Sequence, residues 1–351
     1  MKIFFLIENI NRIAGTERIT LDLINLLSQN TNWEISLICL KSITTNNLEL
    51  NSHVKLISLN SSLQNPIKSI KGLHLLIKQE QPNYLINVAV IMSRISIFAT
   101  LHTSTKVITW EHFNLHAGSK LGYIWRLLSA SLSHKTVVLT HKDRQSYPKW
   151  LQHKVETIYN FTTIDNTIKA DTENSNIVIS VGRLTYQKGF DMLLYAWEIV
   201  HQNNPELILY LIGDGEDKQK LKELSQQLQI DKSIIFISQN NEINKYYQKA
   251  GLYVMSSRFE GLPLVLIEAK RMGLPCISFD CPNGPNEIIR KDIDGYLIEQ
   301  ANISALAHQI IKIFNDRKQL CRLGKEAALD AEKRFSGNAI INQWITLLAK
   351  C

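Results

Sequence analysis

The sequence predicts an α/β protein built from two doubly wound parallel sheets in tandem, and three observations carry that expectation. Short β-rich runs alternate with longer helical patterns along most of the chain. The alternation lapses once, near residues 159–172, and then restarts. The length of 351 residues suffices for two domains, against ~100–200 residues for one. A composition of 45% hydrophobic and 20% charged residues is globular and excludes a disordered or collagen-like chain.

Residues 2–8 read as a buried strand, and 16–29 as an amphipathic helix with apolar Ile19, Leu21, Leu23, Ile24, Leu26 and Leu27. Strands follow at 33–40 and 55–59, then a helix at 69–79 that Pro82 stops. Three further strands are expected at 84–90, 106–110 and 136–140. The stretch YNFTTIDNTIKADT, rich in Thr, Asn and Asp, reads as the linker. It divides the chain into domains 1–165 and 166–351, with the last helix free to cross back to the first. The second series places strands at 177–182, 207–212, 234–238, 252–255 and 275–279. Its helices fall at 190–201, 218–229, 243–249 and 264–271, and the remainder is mostly helical. Ligands of such sheets bind at the carboxyl ends of the strands, here in a cleft expected between the two domains.

The five cysteines (39, 276, 281, 321 and 351) form no CxxC pair and no cluster at zinc spacing. They read as reduced thiols of a cytosolic protein. The apolar run at the start is too short for a signal peptide. The most apolar window, 84–101, is broken by Asn87, Ser93, Arg94 and Ser96, so no membrane span is expected at a mean hydropathy of −0.08. Residues 1–165 hold 17 Lys and Arg against 10 Asp and Glu, whereas the rest is balanced at 22 of each. The +7 excess therefore sits in the first half and points to an anionic partner. It concentrates in Lys120, Arg126, Lys135, Lys142, Arg144, Lys149 and Lys154, interleaved with Tyr123, Ile124, Trp125, Leu127, Leu128 and Leu132. That mixture suits a helix on an anionic membrane, or a core-packing helix with a solvated basic rim. No nucleic-acid-binding module accompanies it.

Two segments carry chemistry. In SSRFEGLPLVLIEAKRMGLPCISF, a loop with Glu260 and Gly261 leads into a helix, and Pro263 fits its first position. The N–H groups of Gly261 and Leu262 would face a phosphate or sugar hydroxyl. Glu260 and Glu268 would line the same end of the site; the plainer alternative is a loop acid and a helical acid in ion pairs. In IVISVGRLTYQKGF, a buried strand delivers Arg183 and Lys188 before the next helix. Arginine offers a planar fork to phosphate and lysine a point charge, unless both are simply solvated.

Taken together, R-L-x-x-x-K-G and the later F-E-G-x-P-x-x-x-x-E-A resemble the retaining family 4 glycosyltransferases of the GT-B fold. Gly15-Thr16-Glu17-Arg18 resembles that family's glycine loop, and Leu211-Ile212-Gly213-Asp214-Gly215 its strand and GDG turn. The run from Cys281 to Ile289 resembles the GPxEII turn of bacterial enzymes building lipopolysaccharide, capsule or undecaprenyl-linked glycans. The resemblance implies two Rossmann-like domains facing each other across a cleft. It implies transfer of a hexose or N-acetylhexosamine from a nucleotide-sugar, taken as UDP-linked, to a saccharide or lipid-linked saccharide acceptor. Arg183 and Lys188 would clasp the donor diphosphate, Glu260 would face the donor sugar, and Glu268 would bind the ribose. Donor contacts carry over to Gly15, Thr16, Gly182, Gly261, Leu262 and Pro263.

Preorganised cations at the departing phosphate provide the largest available stabilisation of such a transfer. Neither metal nor cofactor is therefore expected. Asp292-x-Asp294 mimics a metal-binding pair but reads as turn chemistry. Gly213-x-Gly215 lacks the third glycine of a dinucleotide fingerprint, which disfavours an NAD-dependent dehydrogenase. His112, after the strand at 106–110, is either a satisfied loop histidine or, as the family implies, a catalytic group near the donor sugar. A non-catalytic binding subunit of the same fold is the rival reading; intact Arg183, Lys188, Glu260 and Glu268 count against it. The expected location is cytoplasmic, peripheral on the inner membrane.

Overall fold

A computed structural model describes residues 1–11, 15–44, 48–116, 118–164, 167–238 and 242–350. The chain forms two compact units, one of Met1–Asn160 with Gly337–Cys351 and one of Phe161–Ser336.

The first unit begins with β1 (Lys2–Ile7), α1 (Gly15–Asn30), β2 (Glu34–Cys39), β3 (Lys55–Ser58) and α2 (Pro66–Glu80). It continues with β4 (Tyr84–Val88), α3 (Ser93–Ala99), β5 (Lys106–Trp110), α4 (Lys120–Leu132), β6 (Lys135–Val138), α5 (His141–Ser146) and β7 (Val155–Thr157). The strands form one sheet in the order β3-β2-β1-β4-β5-β6-β7, every pair parallel. Central strands such as Ile3–Ile7 and Tyr84–Val88 are buried throughout, as a sheet covered on both faces requires. Pro66 sits at the start of α2, where its missing N–H costs nothing, and Asn65 caps that helix by accepting from the Lys68 N–H.

The second unit comprises β8 (Ile177–Val181), α6 (Phe190–Asn203), β9 (Ile208–Ile212), α7 (Lys218–Gln227), β10 (Ile234–Ile237), α8 (Ile243–Lys249) and β11 (Leu252–Met255). It ends with α9 (Leu264–Arg271), β12 (Cys276–Phe279), α10 (Pro285–Ile288), β13 (Gly295–Ile298), α11 (Ile303–Phe314) and α12 (Arg317–Phe335). Its parallel sheet runs β10-β9-β8-β11-β12-β13. The chain winds outward from β8 and returns on the other side at β11, so the topological switch point lies between those two strands. The core around Trp197, Leu209, Val254 and Phe279 packs against α11.

The boundary between the units falls a few residues before the expected one, and the last helix joins the first unit. Asp165 and Asn166, where the boundary was placed, lie outside the described residues, as does Cys351. The second unit already begins at Phe161, because Phe161 and Ile164 are buried and Thr162 bridges to Ser336. The last helix, α13 (Gly337–Lys350), belongs to the first unit: it packs on α1, and its buried Trp344 meets Trp110 edge-on at 5.2 Å. A strand, β7, and three short helices, α3, α5 and α10, were not foreseen.

Beneath the second sheet's edge lies a buried charge network. Lys270 of α9 is fully buried, and its Nζ donates to Asp330 Oδ2 at 2.6 Å and to the Ile288 carbonyl at 2.7 Å. Asp294 stands 3.1 Å from the same ammonium and 2.6 Å from Arg290 Nε. Arg334 grips Asp330 and the Glu287 and Ile288 carbonyls. Asp294 is thus spent in ion pairs, and Asp292 turns the chain at φ +64°. Removing the shared cation leaves two buried carboxylates side by side, with only the partly exposed Arg290 and Arg334 to offset them. Lys270→Ala should therefore lower stability by ~3–5 kcal/mol in urea unfolding. A loss under ~1 kcal/mol would contradict the network's role.

Candidate active site

Both segments singled out by the sequence lie at the carboxyl ends of strands flanking the switch point. Arg183 and Lys188 follow β8, and Glu260 follows β11. The two turns touch backbone to backbone. Gly189 has φ +63°, and a Cβ there would lie 2.2 Å from the Ser256 carbonyl oxygen, so only glycine fits. Ser256 Oγ donates to the Lys188 carbonyl at 3.0 Å, which fastens the same contact from the other side. The Gly213-Asp214-Gly215 turn abuts this platform: a Cβ on Gly213 would fall 1.9 Å from the Gly182 oxygen.

On this platform Lys188 Nζ donates to Glu260 Oε1 at 2.6 Å, and Ser257 Oγ donates to the same oxygen at 2.6 Å. The lysine side chain is 18% exposed and the glutamate 6%, so the pair is held mostly out of water. The Arg183 side chain has no hydrogen-bond or ion-pair partner among the described residues, and the residue is exposed. The Gly261 and Leu262 N–H groups likewise donate to nothing among the described residues as the chain enters α9. Pro263 is the residue before the helix rather than its first, with ψ 109°. Glu268, on the fifth residue of α9, is buried and accepts from the Tyr247 hydroxyl at 3.2 Å. Burial and the adjacent carboxylate raise the Tyr247 pKa well above its usual value, so the phenol keeps the proton it donates.

Arg258 braces the arrangement. Its guanidinium forks onto Asp191 at 2.8 and 2.6 Å, donates to the Tyr186 carbonyl at 2.8 Å and lies 4.1 Å above the Tyr186 ring. The loop carrying Glu260 is thereby clamped to the turn carrying Lys188. Cys281, buried at the end of β12, feels the charges of both Glu260 and Lys188; burial pushes its thiol up to about 12, so it is an unreactive wall.

A family model described as Glycosyl transferases group 1 matches residues 163–330. An uncharacterised glycosyltransferase of Haemophilus influenzae is 30% identical over 356 residues, covering 99% of each chain. The chain belongs to the glycosyltransferases. An α-1,4-N-acetyl-D-galactosaminyltransferase of Campylobacter jejuni, named for a diNAcBac-PP-undecaprenol acceptor, is 27% identical over 365 residues, with 100% of this chain and 99% of the relative covered. Among solved structures, Anabaena Alr3699/HepE in complex with UDP-glucose superposes with a TM-score of 0.81 at 18% identity, covering 100% of each chain. The two-sheet architecture of this glycosyltransferase is the GT-B fold.

Of the sequence-predicted residues, Gly182, Arg183, Lys188, Glu260, Gly261, Leu262, Pro263 and Glu268 are gathered in the second unit. Gly15, Thr16 and His112 belong to the first. Gly15 opens α1, and the Thr16 carbonyl accepts from Thr20 Oγ1 at 2.7 Å. His112 follows β5 and packs on Trp110 at 4.5 Å between ring centroids. Its Nε2 is buried with no partner among the described residues. Sequence reasoning missed Arg258, Ser257 and Tyr247 as groups that orient the glycosyltransferase's charged residues. Arg258 and Ser257 stand in the quoted SSRFEG run, but their partners come from a distant turn. Tyr247 carried no local signal. It also missed Glu111, buried beside Arg126 at 3.0 Å, whose other oxygen accepts from the Phe113 N–H and shapes the loop holding His112.

Burial lowers the His112 pKa from 6.5 to about 3. A base depressed on folding stabilises the native state above its unfolded pKa, and that contribution is lost as pH falls through the folded value. Thermal stability should therefore decline between pH 6.5 and about 3, and His112→Gln should flatten the decline. An identical pH dependence in both proteins would show that the imidazole is not buried neutral.

Proposed function

We propose that this glycosyltransferase moves a hexose or N-acetylhexosamine from a UDP-sugar, with retention at the anomeric carbon, to a lipid-linked saccharide. The product is a bacterial surface glycan, assembled at the cytoplasmic face of the inner membrane by an enzyme bound peripherally. Among the described residues, no helix is long and apolar enough to cross a membrane. The observation that carries the reading is the Lys188–Glu260 contact at the switch point, with Arg183, whose side chain has no partner among the described residues, on the same turn. A nucleotide-sugar offers a diphosphate to the two cations and hydroxyls to the carboxylate. As the bond from the anomeric carbon to the diphosphate breaks, negative charge grows on the leaving phosphate. Arg183 and Lys188 stabilise it there. Glu260, oriented by Ser257 and Lys188, accepts from the sugar hydroxyls; Glu268, oriented by Tyr247, accepts from the ribose. A role for His112 toward the donor sugar rests on the resemblance alone; in the first unit its Nε2 is buried with no partner among the described residues.

The UDP-glucose bound by the Anabaena protein supports the donor, and the undecaprenol-linked acceptor of the Campylobacter enzyme supports the lipid. Retention rests on the resemblance to the retaining enzymes. The reaction is read as metal-independent because the two side-chain cations supply the positive charge.

Folded Arg183→Ala and Lys188→Ala variants should each lose transfer by at least ~100-fold, by analogy with removing one oxyanion-type donor. EDTA should leave the wild type unaffected. Near-normal turnover by a folded variant would sink the clasp, and magnesium-rescued inhibition by EDTA would sink metal independence. Calorimetry with UDP separates the glutamates: Glu268→Ala should weaken nucleotide binding, and Glu260→Gln should spare it while cutting transfer. The reverse pattern would exchange their roles.

A further inference from the structure

In the first unit Phe4 and Phe5 are buried, whereas Phe113 stands 58% exposed on the loop that leaves β5. That loop is fastened at every other residue. The Glu111 N–H donates to the Val137 carbonyl of β6, and the buried Glu111 carboxylate accepts from the Phe113 N–H at 3.0 Å. Asn114 Nδ2 donates to the buried Asp143 Oδ1 at 2.8 Å, while Asn114 Oδ1 accepts from the His116 N–H at 2.8 Å. Leu115 is sunk in a cluster with Ala130, Val138, Tyr147 and Val155. Between the buried His112 and Leu115, the loop therefore holds a phenyl ring out in water. Its other exposed ring, the His116 imidazole, stacks on the half-buried Tyr123 with centroids 5.2 Å apart and planes 15° apart.

A lone exposed apolar side chain is ordinary, so the position and the chemistry of this one carry the inference. Ligands of open parallel sheets bind at the carboxyl ends of the strands, and 111–116 is the loop at that end of β5. Phe98, nearly as exposed, lies at the far end of α3, toward the amino end of β5. A pyranose has a face of polarised C–H bonds and hydroxyls around its edge. The first matches the negative face of a phenyl ring, and the second matches the ring nitrogens of His116. We propose that Phe113 is the platform on which a sugar ring of the acceptor stacks, with His116 hydrogen-bonding a hydroxyl at its rim. The inference rests on the reading of a saccharide acceptor and names the side chains that recognise it. An apolar chain would want a groove, whereas one ring beside Asn114 and His116 suits a polar ligand with one apolar face. A nucleobase also stacks on phenyl rings, but the nucleoside has Glu268 for its ribose on the second unit.

The test uses the full chain and the methyl glycosides of glucose, galactose, N-acetylglucosamine and N-acetylgalactosamine, none of which carries an aromatic ring of its own. In saturation-transfer NMR with the protein's aromatic protons irradiated, at least one glycoside should light up along the C–H protons of one ring face. Phe113→Ala changes only an exposed side chain and should weaken that glycoside by ~10-fold or more, the scale of one stacked ring. Phe113→Tyr and Phe113→Trp should keep the signal, which a merely structural role for the phenyl group would not require. Phe98→Ala should leave it as in the wild type. His116→Ala should weaken binding while the one-face pattern persists. The proposal is overturned if no glycoside gives a signal, or if the signal is equal in wild type and Phe113→Ala. It is also overturned if uridine, and not the glycosides, takes up the saturation that depends on Phe113. Hydrolysis of UDP-glucose by the wild type is measured in parallel. Its absence, with Phe113-dependent glycoside binding intact, would count against the donor reading and not against the platform.

Discussion

Everything at the candidate site depends on two turns lying against each other closer than side chains permit. Gly189 lets the turn after β8 rest on the Ser256 carbonyl, and any Cβ at that point would collide with backbone. The constraint brings a cation from one side of the switch point and a carboxylate from the other into direct contact, 72 residues apart in sequence. Secondary contacts then lock the geometry: Ser257 on the carboxylate, Arg258 across to Asp191, and Gly213 under Gly182. A rigid backbone junction of this kind holds charges in place at little further entropic cost.

The second constraint is electrostatic. Lys270 and Glu268 share the short helix α9, one facing a buried carboxylate pair and the other facing Tyr247. The Lys270 network grips the Ile288 carbonyl, and the Gly284 turn just before it packs on Gly261 and Pro263. Charges buried in this way are poor stabilisers compared with well-packed apolar groups, but they have few alternative arrangements. The network therefore ties the loop of Glu260 and Gly261 to the turns behind it.

Much of this was legible in the sequence, for physical reasons. Strands buried on both faces are continuous apolar runs, so Ile177–Val181 and Leu252–Met255 announce themselves. Arg183, Lys188, Glu260 and Glu268 stood out as a set only because their two motifs, at their spacing, resemble the family 4 glycosyltransferases. The remainder required contacts between distant segments. Arg258 reads as a solvated residue until Asp191 is seen beside it, and Asp294 reads as turn chemistry until Lys270 appears. Helix α3 was hidden inside an apolar window, and Pro263 satisfies a helix start equally well one residue earlier. The basic stretch 120–154 looked uniform because a sequence does not show which lysines and arginines face inward.

The return of α13 to the first unit bears on how the chain is built during synthesis. The second unit is one continuous stretch, Phe161–Ser336, and can close as soon as it has emerged. The first sheet emerges earlier but stays incomplete, because Trp344 reaches Trp110 only after that whole stretch has been translated. At ~5–20 residues per second the wait is roughly ten to thirty-five seconds. During that interval the ring of Trp110 and the face of α1 lack their native cover. The newborn chain therefore passes through a period in which its earliest-made half is the later one to be finished, and in which a chaperone has a defined apolar surface to hold.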